Sequence, residues 1–430
     1  MSYSIISLFT GAGGLDWGFY KHNYNLIASN EILEAHLKTF TDYHKISLIN
    51  INDYSNQINV GINGDVNDLE ISQQADVAIF GPPCQDFSVL RGKDKRAGVE
   101  VKRGQLYLQS LRILKTTQPK IFVFENVPGM VTANNGMAYE TIQEDFINAG
   151  YTLIFNQIVN MSHLGVPQSR KRLIIIGVKN NIIKKLDNVD EIINKYLKNN
   201  ILEKYPLTPL EVFEGDILPN LNSKYYNIMK SFENSTDKIE NDYAQKWIKE
   251  YNSLSLDIIQ DYLKYNNINE FNNEEFEKAM EEHTKILKIL DYYKNPLEKK
   301  VYSDESNNLP RRNQNIKNRM KHIPPFYNFK TVEGTQWQVK GLMSNIYRRL
   351  HPLIPSPTVI AYGGGGTGGY HYDFNRQGLT NRERSRLQTF PDDYLFNGKN
   401  SEMRAQIGEA VPPLGSYWIS KVITEILDQT

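Results

Sequence analysis

Hydrophobic and polar positions follow two rhythms over the first 180 residues. Short apolar runs bounded by glycine, proline or asparagine recur at 4–9 (SIISLF), 25–29 (NLIAS), 75–80 (ADVAIF), 120–124 (KIFVF), 151–159 and 173–178 (LIIIGV). Their length and β-branched content suit buried strands better than helices. Between them, 15–22, 104–117 and 138–149 repeat apolar residues at helical spacing. Strands alternating with helices predict a mainly parallel sheet covered on both faces, an α/β doubly wound fold. Ligands of such sheets lie beyond the carboxyl ends of the strands, and Glu31, Asp65, Cys84 and Glu125 all fall at such ends.

From about residue 180 the rhythm stops. Residues 181–300 are polar and rich in Asn, Lys and Glu, with a helical stretch at 274–290 whose acidic part reads as a solvated face. A second domain or large insertion is expected there. Basic runs at 311–321 and 347–349 suit phosphates, and GGGGTGG at 363–369 suits a linker or a close approach of main chain to a sugar-phosphate edge. Residues 380–390 read as a capped amphipathic helix, with Glu383 three positions after Thr380 as in a capping box. A turn at 407–413 and a last apolar helix at 414–427 follow.

Composition narrows the classes. A chain of 430 residues is long enough for two domains. Lys plus Arg and Asp plus Glu number 49 each, so an anionic partner must be met by local basic patches. A single cysteine excludes an internal disulfide and a Cys-rich zinc site, and no metal is expected. The first residues lack the charged and apolar regions of a signal peptide, and no run reaches a membrane span. The expectation is a soluble protein of the cytoplasm.

Candidate chemistry sits at the strand ends. The turn in FTGAGG places Gly11, Gly13 and Gly14 between a strand and a helix, where backbone N–H groups face a ligand. Asp16 stands where a dinucleotide fingerprint wants its third glycine, which disfavours a nicotinamide oxidoreductase. Glu31, twenty residues beyond Gly11, is spaced to accept from ribose hydroxyls, and Asp65 could accept from an adenine amino group. Pro82 and Pro83 stiffen the backbone before Cys84. Arg91, Lys93, Lys95, Arg96, Lys102 and Arg103 follow, supplying positive charge that would favour a thiolate nucleophile. A lone cysteine is more often a small buried hydrophobe; the Pro-Pro-Cys-Gln setting stands against that reading.

Nine segments in order, FTGAGG, Glu31, GDV, PPCQDFS, RGQL, ENVPG, QSRKR, LTNRERSRLQTFPDDY and IGEAVPP, together resemble the DNA (cytosine-5) methyltransferases, bacterial restriction-modification type. The likeness covers residues 1–180 and resumes over about 376–425. It implies a Rossmann-like S-adenosylmethionine-dependent sheet in a catalytic and cofactor-binding domain at 1–182. A smaller target-recognition domain with an insertion would occupy 183–404, and 405–430 would return to the first domain. Phe9, Gly11, Ala12, Gly13, Gly14, Leu15, Glu31, Ile32, Asp65, Val66, Gly81, Pro83, Leu106, Glu409 and Ala410 would hold S-adenosyl-L-methionine, with Phe9 and Val66 against the adenine and S-adenosyl-L-homocysteine as product. Glu409 departs from the Asn common in the family.

By the same resemblance Cys84 is the nucleophile and Glu125 the acid that engages the base. Asn126 props the Cys84 loop, Gln85 joins the catalytic set, and Arg172 meets the cytosine O2 with Arg170 and Gln168 in support. Ser88, Arg91, Lys93, Arg96, Gln168 and Thr358 would touch DNA, the target base being flipped out of the duplex. The implied partners are double-stranded DNA and a cognate restriction endonuclease, with the chain acting as a monomer in the bacterial cytoplasm. A tRNA cytosine-5 methyltransferase would keep the same site, although the long insertion favours duplex DNA. A catalytically silent DNA-binding homologue is opposed by the intact Cys84, Glu125 and Arg172.

Overall fold

A computed structural model describes residues 2–83, 106–198, 200–298, 300–311, 313–339, 346–362, 366–376 and 378–430. The chain divides into two compact units, Met1–Leu164 with Lys171–Asn199 and Ala410–Thr430, and Gly165–Arg170 with Asn200–Glu409.

In chain order the described strands are β1 (Ser4–Leu8), β2 (Asn25–Glu31), β3 (Ser47–Asn50), β4 (Val60–Asn63), β5 (Val77–Phe80), β6 (Ile121–Asn126), β7 (Tyr151–Asn160), β8 (Gln168–Ser169), β9 (Lys171–Lys179) and β10 (Ser356–Pro357). The first unit is built on an eight-stranded sheet in the order β3-β4-β2-β1-β5-β6-β9-β7. From β3 to β6 neighbours run parallel; β9 is antiparallel to both β6 and β7, so the sheet is mixed at one side. The chain builds outward from β1 through β2 and then crosses back to lay β5 on β1's other side. That reversal is a topological switch point, and α/β sheets bind their ligands beyond the carboxyl ends of the strands at such a point, here β1 and β5.

Helices α1 (Asp16–Lys21), α2 (Glu34–His44), α3 (Tyr107–Thr117), α4 (Met137–Asn148), α5 (Asn180–Ile183) and α6 (Val189–Leu197) belong to this unit, as does the helix Pro413–Leu427. Alternation along the strands divides the faces. Ile6, Leu8, Ala78, Phe80, Phe122 and Phe124 form one core with Leu111 and Leu114 of α3 and Ile142 and Phe146 of α4. Ile5 and Ser7 point the other way, also buried. α1 packs on the helix Pro413–Leu427, which packs in turn on α6.

The unit boundaries differ from the expected 182/183 and 404/405. α6 stays with the first unit because it packs on Pro413–Leu427, with Lys195 Nζ 2.8 Å from Glu425. Asn400–Glu409 is a single helix held in the second unit, where a Cβ on Gly408 would lie 2.2 Å from the Ala361 nitrogen. β8 leaves the first stretch to pair with β10. The second unit is as long as the first, so it is not the smaller of the two.

The second unit is mainly helical, with Trp247, Tyr262, Leu287 and Tyr292 fully buried. Two expectations fail in it. The helix Asn381–Leu387 carries the capping box of Thr380 and Glu383, but all seven of its residues are buried, so it is not amphipathic. Arg349, placed by sequence in a phosphate-binding run, is enclosed and donates to the carbonyls of Met320, Ile323, His371, Asp373 and Arg376. A guanidinium has five fixed donors and can gather several stray carbonyls at once. Among the described residues no helix is long and apolar enough to cross a membrane, and no cluster of ligating side chains is arranged to hold a metal.

Candidate active site at the carboxyl ends of the strands

The turn after β1 is shaped by backbone sign. Phe9, Gly11 and Gly13 have φ of 58°, 57° and 79°, the left-handed region that costs a side-chain-bearing residue about 1 kcal/mol or more. Phe9 is the non-glycine member, a strained conformation of the kind found at ligand sites. Gly14 is required by packing: a Cβ there would lie 2.2 Å from the Val411 carbonyl oxygen. Gly11 differs, with nothing within 4 Å of an added Cβ. Ala12, Gly13 and Leu15 are buried beneath the turn.

Glu31, at the end of β2, fixes this turn. One carboxylate oxygen accepts from the Gly11 N–H at 2.9 Å and the other from the Leu33 N–H at 2.9 Å. Burial lifts its carboxyl above the usual range, opposed by those backbone donors. Ile32 beside it is 61% exposed, an apolar side chain just beyond the carboxyl end of β2. Beyond β4, Asp65 is exposed and caps the turn Val66–Asp68 by accepting from the Asn67 N–H at 2.9 Å, while Val66 is buried.

β5 ends at Phe80, and Gly81, Pro82 and Pro83 follow, with Pro82 buried and Pro83 exposed. Cys84, Gln85, Ser88, Arg91, Lys93 and Arg96 lie outside the described residues. What flanks their approach is described. Glu125, on the last turn of β6's pleat, is 9% exposed, and its Oε1 stands 2.9 Å from Arg172 Nε. The register pairs Glu125 with Ile174 and Asn126 with Leu173, so Arg172 falls on the Glu125 face of the antiparallel pair, diagonally across. Its Oε2 lies on the Gly81 side, 3.7 Å from where a Cβ on that glycine would sit. Asn126 Nδ2 donates to the Pro82 carbonyl at 3.3 Å, and its Oδ1 accepts from the Val127 N–H. The first described residue after the Cys84 segment is Leu106, partly buried at the start of α3.

The first unit therefore has Phe9, the glycine turn, Glu31, Asp65, Gly81, Glu125, Asn126 and Arg172 at one end of its strands, the carboxyl end of the parallel set. The chain matches the family model of C-5 cytosine-specific DNA methylases over residues 3–425. It belongs to that family. It is 43% identical to the DNA (cytosine-5-)-methyltransferase M.ApeKI of Aeropyrum pernix, over 99% of each chain. It is 32% identical to the type II methyltransferase M.NgoFVII of Neisseria gonorrhoeae, over 98% of this chain and 86% of that one. Its fold is similar to a solved structure of an E. coli prophage-encoded protein described as a DNA modification methyltransferase, with a TM-score of 0.59 at 20% identity and coverage of 99% and 100%. As a cytosine-5 methylase the chain is an enzyme acting on DNA with a methyl donor.

The methylase's second unit holds several of the expected site residues. Gln168 and Arg170 are fully enclosed, with their side chains engaged by main chain. Arg170 donates to the carbonyls of Val359 and Gly408, and Gln168 donates to Leu387 and accepts from the Val359 N–H at 2.7 Å. They fix the crossing segment to its surroundings. Thr358 is exposed, and its hydroxyl donates to the Ser169 carbonyl. Glu409 is exposed at the end of its helix, its charge raising the pKa of Tyr362, while Ala410 begins the stretch that returns to the first unit. Sequence reasoning missed Arg112 of α3, which reaches the carbonyls of Val66 and Leu69. The available signal was an arginine set between the buried Leu111 and Ile113.

Proposed function

We propose that this methylase transfers the methyl group of S-adenosyl-L-methionine to C5 of a cytosine turned out of double-stranded DNA, through an intermediate in which Cys84 is bonded to C6. The observation that carries the reading is the Glu125 carboxylate. It is tied to Arg172 on one side and lies against Gly81 on the other, at the strand end that leads through two prolines into Cys84.

The residues present fit the donor. The open space at Gly11, the exposed apolar Ile32 and the carboxylates of Glu31 and Asp65 lie beyond the carboxyl ends of β1, β2 and β4. Glu31 would accept from the ribose hydroxyls, Asp65 from the adenine amino group, and Phe9 and Val66 would flank the ring. Ala12, Gly13, Gly14, Leu15, Gly81, Pro83, Leu106, Glu409 and Ala410 complete the proposed set. Bound there, the donor supplies an electrophilic methyl group on a sulfonium.

Cytosine C5 is a poor nucleophile, so electrons must be pushed onto it. The Cys84 thiolate adds to C6, and Glu125 gives or shares a proton at N3, which takes up the charge pushed into the ring. Arg172 contacts O2 and holds the Glu125 carboxyl in place; Asn126 and Gln85 support the Cys84 loop. Once C5 carries the methyl group, a base removes the C5 proton, the C6–sulfur bond breaks, the thiolate leaves and the N3 proton returns to Glu125. Extruding the base costs a few kcal/mol. Contacts to DNA from Ser88, Arg91, Lys93, Arg96 and Thr358 would offset it, and the second unit would read the sequence. We further infer a monomeric enzyme of the cytoplasm and, from the type II names of its relatives, one that protects a site cut by a partner endonuclease.

The test is to incubate purified wild type and Cys84→Ala with labelled donor and either duplex DNA or tRNA, and to sequence the methylated product. Wild type should label cytosine C5 in duplex DNA only. Cys84→Ala should label nothing yet bind S-adenosylhomocysteine like wild type. Transfer by Cys84→Ala, or transfer to tRNA in preference to DNA, would sink the proposal.

A further inference from the structure

We propose that Arg112 is a positioning residue for the adenosine end of the methyl donor, acting from α3 on the turn that carries Asp65 and Val66. The inference rests on the reading of that turn as the adenine site. Arg112 Nη1 donates to the Leu69 carbonyl at 2.8 Å and Nη2 to the Val66 carbonyl at 2.9 Å, while Nε donates to Gln109 at 2.7 Å. All three nitrogens are used, so the guanidinium is aimed and cannot swing.

The turn it grips has little of its own to hold it. Val66–Asp68 is a single 3₁₀ turn, closed by the Asp68 N–H to Asp65 carbonyl bond at 3.0 Å, the Leu69 N–H to Val66 carbonyl bond at 3.3 Å, and the Asp65 cap. One such turn fixes several dihedrals for few bonds and does not persist unaided. Its other flank is fastened to β2. Asn30 donates to the carbonyls of Ile62 and Gly64 at 3.0 and 3.1 Å, and Asn63 donates to the Glu31 carbonyl at 3.1 Å. Beyond the burial of Ile62, Val66 and Leu69 in the core, the main chain of 62–69 is held by side chains at two places, by asparagines on the Glu31 side and by one arginine on the α3 side. The asparagines set its distance from the ribose carboxylate. Arg112 sets the pitch of the part bearing Asp65 and Val66, and a planar fork binding two carbonyls fixes orientation as a single-point donor does not.

The experiment measures binding of S-adenosylhomocysteine and of methylthioadenosine, which lacks the amino-acid end, to the full chain by calorimetry. Arg112→Met should weaken both by the same factor, about tenfold or more for a lost pair of charged hydrogen bonds, at unchanged stoichiometry. Arg112→Lys, which can hold one carbonyl, should fall between. A role in stability alone would lower the competent fraction and the melting point but leave Kd unaltered, and that result in either variant overturns the inference. Asp65→Ala is the control for the site itself. If it weakens binding and Arg112→Met does not, Arg112 is not a positioning residue. If Asp65→Ala changes nothing, the adenine site has been misplaced and the inference falls with it.

Discussion

Arg172 and Glu125 form an ion pair of 2.9 Å across neighbouring antiparallel strands, with side chains 13% and 11% exposed. Removing either takes the nearest countercharge from a largely enclosed side chain, which is costly.

Glu125→Gln keeps the shape and removes the acid. The rate of methyl transfer in a single turnover should drop by about 10²–10⁴, the range for a positioned proton donor, while donor binding holds. Arg172→Ala should also be slow. Because both act through one carboxyl, the double variant should cost much less than the product of the two. Independent, multiplicative losses would show that the pair does not work as a unit.

Gly11 and Gly14 should respond differently to alanine. At Gly14 the added methyl meets the Val411 carbonyl, so Gly14→Ala should lower the unfolding free energy by about 1–3 kcal/mol. At Gly11 the methyl meets nothing and the left-handed φ costs only about 1–2 kcal/mol. Gly11→Ala should instead lose affinity for S-adenosylhomocysteine. Urea titration and calorimetry on the two variants separate the effects, and equal affinity in Gly11→Ala and wild type would mean that the space beside Gly11 is not the donor's.

Asp16 gives stability a pH dependence. Burial pushes its carboxyl up to about 7, against the pull of the nearby Ser7 hydroxyl. The folded chain therefore keeps a proton that the unfolded chain gives up near pH 4. Between these values the unfolded state binds fewer protons, so stability falls as pH rises and levels off above about 7. Asp16→Asn should remove this slope, matching wild type near pH 4 and exceeding it at pH 8 by a few kcal/mol, on the order set by the shift. Parallel denaturation curves for the two proteins across that range would count against it.

Six strands and four helices of the first unit, its last helix included, were legible because apolar periods of 2 and 3.6 survive in short segments; α2, β3, β4 and α6 were not, their stretches being polar and short of a clear period. Arg349 and Arg112 were not. Both spend their charge on main-chain carbonyls distant in sequence, and an arginine that does this has the same local neighbourhood as one that meets a phosphate. The exchange of 165–170 between units was equally hidden, since it rests on a two-residue strand pair that no periodicity can announce.

Gly18 lies against the backbone of Ser416, whose hydroxyl accepts from the Gly18 N–H across a sequence separation of 398. A ribosome delivers the glycine turn well before the helix that buttresses it. A chain that stops upstream of those late codons therefore lacks the contact that backs Gly18, and the first helix is left without its partner.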